Sequence, residues 1–234
     1  MRKILVLTML FALVLGLSFS VKPVRADVII DFGTFGIPGG TVSYSGGANP
    51  MIGAEIPIGV VWGDGTPSHP TPPTFPVTAN LNIPPTGTGV LAFQTGNFSS
   101  IDIYGIYHFG VGGSLAIMGA VPDAQIANTT LMSATSTVSG TFDPGIGSIA
   151  IIVGSDTKNE GLLAWFGLAD DTPFVFSGSI HVKNIEIGQR DSFTSTASGS
   201  TDIKNTVVPE PATMLLLGSG LIGLAGFARK RFKK

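Results

Sequence analysis

The sequence predicts an all-β body, a β-sandwich or jelly-roll-like ectodomain, between two targeting segments. Three observations lead there. Short apolar runs alternate with Gly, Pro, Asn and Ser turn signals along residues 27–208. Alternation is clear in Ile101-Asp102-Ile103-Tyr104 and in Phe174-Val175-Phe176-Ser177-Gly178-Ser179-Ile180-His181-Val182. No long stretch of this region repeats at helical spacing.

The runs expected as strands are 28–32, 41–45, 55–62, 90–95, 101–109 and 114–118, then 129–137, 148–153, 162–167, 174–182 and 184–187. Gly112-Gly113 lies between two of them and suits a tight hairpin turn. Residues 162–168 have a short helix as the alternative. Roughly ten strands in this length fit one sandwich of two sheets, an arrangement that protects strand edges. Residues 67–85 are proline-rich and read as a surface loop or an edge segment. Residues 191–208 are rich in Ser and Thr and read as a flexible linker, so the ectodomain is expected over 27–190.

Charge is unevenly distributed. Residues 27–208 carry 14 acids against Lys158, Lys183, Arg190 and Lys204, a formal charge of −10, although the whole chain is at −2. So few cations cannot neutralise many phosphates, which argues against nucleic acid as a partner. The chain has no cysteine, which excludes disulfides, thiolate metal sites and thiol catalysis.

The N-terminus reads as a signal peptide over residues 1–26. Arg2 and Lys3 open it, an apolar run spans 4–17, and Val24-Arg25-Ala26 offers a small residue before the cut. Cleavage by signal peptidase is expected between Ala26 and Asp27, after transport by the secretion machinery. A permanent anchor is the alternative, but the run is short for a span and Lys22, Pro23 and Arg25 follow it closely.

At the other end, Pro209-Glu210-Pro211 precedes an uncharged stretch, 212–228, and a basic cluster, Arg229, Lys230 and Arg231, with Lys233 and Lys234 beyond. Seventeen helical residues reach roughly 26 Å, near the lower limit for crossing a bilayer core of about 30 Å. The basic end would stay cytoplasmic. The two prolines lack amide hydrogens and hold φ near −65°, and Pro211 pushes Glu210 towards extended geometry. The tripeptide is therefore a stiff, extended strip with one carboxylate, the form a protease accepts.

This ordered set (Pro209, Glu210, Pro211, an apolar Gly-containing helix over 214–227, then Arg229, Lys230 and Arg231) resembles the PEP-CTERM sorting domain. The resemblance covers 209–234, roughly a ninth of the chain. It implies that exosortase, a membrane-embedded cysteine protease of Gram-negative bacteria, is the partner. It implies a protein exported across the inner membrane, held there by the C-terminal helix, then delivered to the cell surface or the extracellular matrix. It further implies association with exopolysaccharide or biofilm matrix. An ordinary single-span anchor is the alternative reading of the tail.

Catalytic signatures are missing from the body. His69, His108 and His181 are not at metal-ligand spacing from one another, and His-Glu-x-x-His, Gly-x-Ser-x-Gly, P-loop and dinucleotide patterns do not occur there. The expectation is a non-catalytic domain with no cofactor and no metal centre. Two alternatives stand beside it. One is a carbohydrate- or calcium-binding module, using exposed Trp62, Trp165 or Tyr107 for sugar, or Asp156 to Glu160 and Asp170-Asp171 for calcium. The other is a secreted hydrolase with carboxylates or a Ser–His pair brought together by the fold.

Overall fold

The computed structural model describes residues 29–34, 36–64, 74–76 and 88–207, together with Ser219. Residues Asp27–Val208 form one compact unit. Within it the strands are β1 (Ile29–Gly33), β2 (Thr41–Tyr44), β3 (Pro50–Ile58), β4 (Val60–Asp64), β5 (Thr74–Pro76) and β6 (Gly89–Ile101). They continue with β7 (Tyr107–Val121), β8 (Ile126–Asp143), β9 (Ser148–Val153), β10 (Thr157–Lys158), β11 (Phe174–Ile187) and β12 (Phe193–Val207).

One antiparallel sheet closes on itself. The order β11-β9-β8-β7-β6-β3-β2-β12 is completed by pairing of β12 with β11, giving an eight-stranded barrel. From β12 the sheet also runs on through β1 to β4 and β5. The expected sandwich is thereby corrected: there is one sheet, not two. Stretches that read as separate short strands merge, so 90–95 becomes part of the 13-residue β6 and 129–137 part of the 18-residue β8. Long strands in a meander curl and close when bulges bend them. The register shifts lie in β3, β6, β7, β8, β11 and β12, and Glu55, Ser136 and Asn184 take left-handed φ of 54°, 60° and 53° in β3, β8 and β11.

Gly112-Gly113 is one of those irregularities rather than the expected hairpin turn. Both lie inside β7 with positive φ, and a Cβ on Gly113 would overlap the carbonyl oxygen of Gln94 in β6. The turn lies earlier, at 102–106, where Gly105 N–H donates to the Asp102 carbonyl at 3.1 Å.

The expected linker is corrected too. Residues 193–207 are a barrel strand whose inward side chains are Phe193, Ser195, Ala197, Thr201, Ile203 and Asn205, all buried. Alternation is present, but polar residues occupy half of the inward positions, and composition hides it. Ser195 and Asn205 fit because the backbone nearby supplies a partner, and at Thr201 it is the backbone that is held, by the side chain of Thr34. Ser195 Oγ donates to the Val42 carbonyl at 3.1 Å, and Asn205 Nδ2 donates to the Ile30 carbonyl at 2.7 Å. Thr34 Oγ1 donates to the Gly199 carbonyl at 2.5 Å and accepts the Thr201 N–H at 3.1 Å.

Phe32, Phe142, Phe166, Phe176 and Phe193 are fully buried with Ile30, Ile56, Leu91, Leu115 and Ile117. At the end of the barrel where β2 leads into β3, Tyr44 stacks on Phe98 at 5.3 Å and meets Phe109 edge-on at 5.2 Å, while Phe142 and Phe193 lie 4.1 Å apart. Outward positions of β6 to β9 are mixed: Ala92, Gln94, Ser114, Thr135 and Ala150 stand beside exposed Val90, Met118 and Ile152.

Residues 162–167 form no strand. Helix α1 (Glu160–Trp165) takes their place, with the Asn159 side chain accepting the Leu162 N–H at 3.2 Å as its N-cap. Leu162, Leu163 and Phe166 are buried against the barrel. Among the described residues, no helix is long and apolar enough to cross a membrane. The expected signal peptide and, Ser219 apart, the expected C-terminal helix lie outside the described residues.

Candidate functional site

The residues singled out for sorting, Pro209, Glu210, Pro211, Arg229, Lys230 and Arg231, lie outside the described residues, as do Ala26 and Asp27 at the expected signal cut. The fold fixes what leads into the tripeptide. Strand β12 continues to Val207, so one residue, Val208, separates the barrel from Pro209. The other end of the body is brought alongside: Ile29 pairs with Thr206 in the β1–β12 ladder.

Three groupings of chemically capable side chains stand out in the barrel. The first was a calcium candidate in sequence. Asp156 and Lys158 form an ion pair, Nζ to Oδ1 at 2.5 Å, with both side chains wholly enclosed. The ammonium also sits 3.6 Å from the centre of the Phe174 ring, a cation–π contact in a dry setting. Burial pulls the Lys158 pKa down from 10.5 to about 8, and burial also raises that of Asp156. Desolvation thus outweighs the mutual attraction for both partners. An ammonium already fills the place a calcium ion would need at Asp156. Asn159 is committed to capping α1, and Asp170-Asp171 is an exposed turn.

The second grouping is Asp102 with His108. Asp102 Oδ1 accepts the N–H groups of Tyr104 at 2.8 Å and Ile106 at 3.0 Å, and Oδ2 lies 3.2 Å from His108 Nε2. The Ile106 N–H, followed by the His108 contact, holds the Asp102 pKa below its usual value. Ser100 stands opposite His108 in the β6–β7 ladder, which places Ser, His and Asp at one hairpin tip. The Ser100 hydroxyl lies 3.5 Å from that of Ser99, and the carboxylate is spent closing the loop. His181 projects from β11 as an exposed side chain, and His69 lies outside the described residues.

The third is a cleft of about 410 Å³ beside the β11–β12 turn, lined by Ser43, Ser45, Glu186, Ile187, Ser192 and Thr194 among others. A second depression of about 320 Å³ shares Tyr44 with it and is lined by Phe98, Arg190 and Asp191. Sequence reading missed this site, because it depends on register between β2 and β12, strands some 150 residues apart.

Of the aromatic residues considered for sugar stacking, the two described side chains form no exposed platform. Tyr107 is buried, Trp165 is half-buried in α1 with its indole nitrogen enclosed, and the side chain of Trp62 lies outside the described residues.

Residues 207–231 match the family model of the PEP-CTERM protein-sorting motif. No curated protein and no solved structure matches the chain. The matched segment begins at the final residue of β12, so sorting signal and barrel adjoin with no spacer. A motif of this kind marks an exported protein that an exosortase sorts to the cell surface.

Proposed function

We propose that this exosortase substrate is a non-catalytic β-barrel protein of the cell surface or extracellular matrix of a Gram-negative bacterium. The motif at residues 207–231 carries that reading. Signal peptidase removes residues 1–26, the segment 212–228 halts in the membrane with Arg229, Lys230 and Arg231 on the cytoplasmic side, and exosortase cleaves near Pro209-Glu210-Pro211. The barrel is then released from its transient anchor.

Two features support a non-catalytic role. The Asp156–Lys158 pair is sealed from solvent, and the Asp102–His108 pair closes a hairpin loop. Both sets of titratable groups are used by the fold itself. The position of β12 adds a constraint on processing. Three extended residues from Val207 to Glu210 span at most about 11 Å. The protease therefore meets its substrate close against a folded barrel, or acts before β12 has seated.

Replacing Pro209-Glu210-Pro211 by three alanines tests the assignment. The expected result in the native host is that the variant stays with the membrane fraction while the wild-type chain leaves it. Equal release of both would show that the tripeptide is not what the protease reads.

A further inference from the structure

The cleft beside the β11–β12 turn has the chemistry of a site for an uncharged polyhydroxy ligand. Glu186 pairs with Thr194 across β11 and β12, and Thr194 pairs with Ser43 across β12 and β2. One carboxylate and two hydroxyls thus form a straight outward row over three strands. Ser45 and Ser192 extend the row at the turn. Each hydroxyl offers one donor and two acceptor positions, and the carboxylate accepts from two hydroxyls at once. Ile187, 53 % exposed, gives the cleft an apolar edge, and half-buried Phe98 gives one to the adjoining depression. Alternating hydroxyl edges and apolar C–H faces are the surface a sugar ring presents.

The site is also held rigidly. Tyr44 and Phe193, which pair directly beneath the row, are buried in the aromatic cluster. The rim is the turn Gln189–Ser192, where Ser192 N–H donates to the Gln189 carbonyl at 3.2 Å. Its central residues, Arg190 and Asp191, both take left-handed φ, 55° and 60°. Such a turn favours Asn-Gly, so Arg-Asp keeps strain at the edge of a cleft. The turn is pressed against the β2–β3 loop, because a Cβ on Gly46 would lie 2.8 Å from the Arg190 carbonyl oxygen. Anionic ligands are opposed by Glu186 and a body at −10, while Asp191 in the adjoining depression is balanced by Arg190.

We propose that this cleft binds a short segment of a neutral saccharide, held by Glu186, Thr194 and Ser43. The volume falls in the range of small-ligand sites, about 300–1,000 Å³. This goes beyond the sorting assignment and does not rest on it, since an unsorted barrel would carry the same cleft.

Affinity electrophoresis tests it. The full chain, kept in a non-ionic detergent without a sugar headgroup, is run in native gels containing dextran, mixed-linkage β-glucan, xyloglucan, alginate or chitosan. Retardation is expected in at least one of the three neutral gels and not in alginate. Glu186→Ala, at an exposed position, should weaken it at least tenfold with unchanged circular dichroism, because a hydrogen bond to a charged group is lost. The paired variant Ser43→Ala with Thr194→Ala should do the same. No retardation in any neutral gel overturns the proposal. So does retardation indifferent to both variants, which would place binding elsewhere, or retardation confined to chitosan or alginate.

Discussion

Deleting residues 193–206, so that the sorting motif follows Ser192, abolishes the cooperative unfolding transition of the barrel. Strand β12 is the closing strand: it pairs with β11 on one side and with both β2 and β1 on the other. Its loss leaves β11 and β2 as open edges and removes Phe193, Ala197 and Ile203 from the interior. Truncating a single buried Phe costs about 3–5 kcal/mol, and a typical domain has only about 5–15 kcal/mol in total. Urea titration followed by circular dichroism reads the outcome. A linker, which is what the composition of this stretch suggests, could be deleted with no change in the transition. The single variant Ile203→Ala separates the two views without destroying the fold. As a barrel position it should cost about 2–5 kcal/mol, against less than about 0.5 kcal/mol for a solvated linker residue.

Lys158→Met is expected to destabilise the barrel by about 3–5 kcal/mol, because the Asp156 carboxylate is left buried without its counter-charge. Adding Asp156→Leu to it should return stability to about the wild-type level or above, since a sealed ion pair gains little over apolar packing. The pair also sets a pH dependence. In the folded chain Lys158 releases its proton near 8, whereas the unfolded chain holds it to the ordinary value of 10.5. Between about pH 8 and pH 10 the unfolded state therefore binds more protons, and stability rises with pH. Above pH 10 the sign turns. Burial, and after it the charge of Asp191, raises the pKa of Tyr44 and Tyr107 in the folded chain, so that stability is lost as they ionise. Urea midpoints from pH 7 to pH 10 should climb for wild type and stay flat for the double variant. A flat wild-type profile would mean that Lys158 is not sealed.

Local pattern made much of the fold readable. Strand β9 occupies the predicted 148–153, and β11 unites the predicted 174–182 and 184–187 across the bulge at Asn184. Closure was not readable, because it rests on pairs such as Phe193 with Tyr44 and Ile29 with Thr206, far apart in sequence. Strand β12 escaped notice because polar Ser195, Thr201 and Asn205 sit inward, Ser195 and Asn205 on backbone partners that only the folded chain supplies. Burial explains the other misreading. Asp156 and Lys158, two residues apart among polar neighbours, read as part of a calcium candidate, and nothing local announces that Phe174 and the barrel wall enclose them. Helix α1 did carry a signal in Asn159-Glu160, an N-cap followed by an acid in the first turn. The sorting motif was legible because it rests on linear order: tripeptide, apolar stretch, basic end.

The central claim is that this barrel is exported and then sorted by exosortase. Intact mass of the protein from its native host, with and without the exosortase gene, tests it most directly. The account predicts a species that starts at Asp27 and lacks the residues beyond the Pro209-Glu210-Pro211 region, present only when the protease is present. Retention of Arg229 to Lys234 in both strains would contradict it and leave a barrel on a permanent anchor.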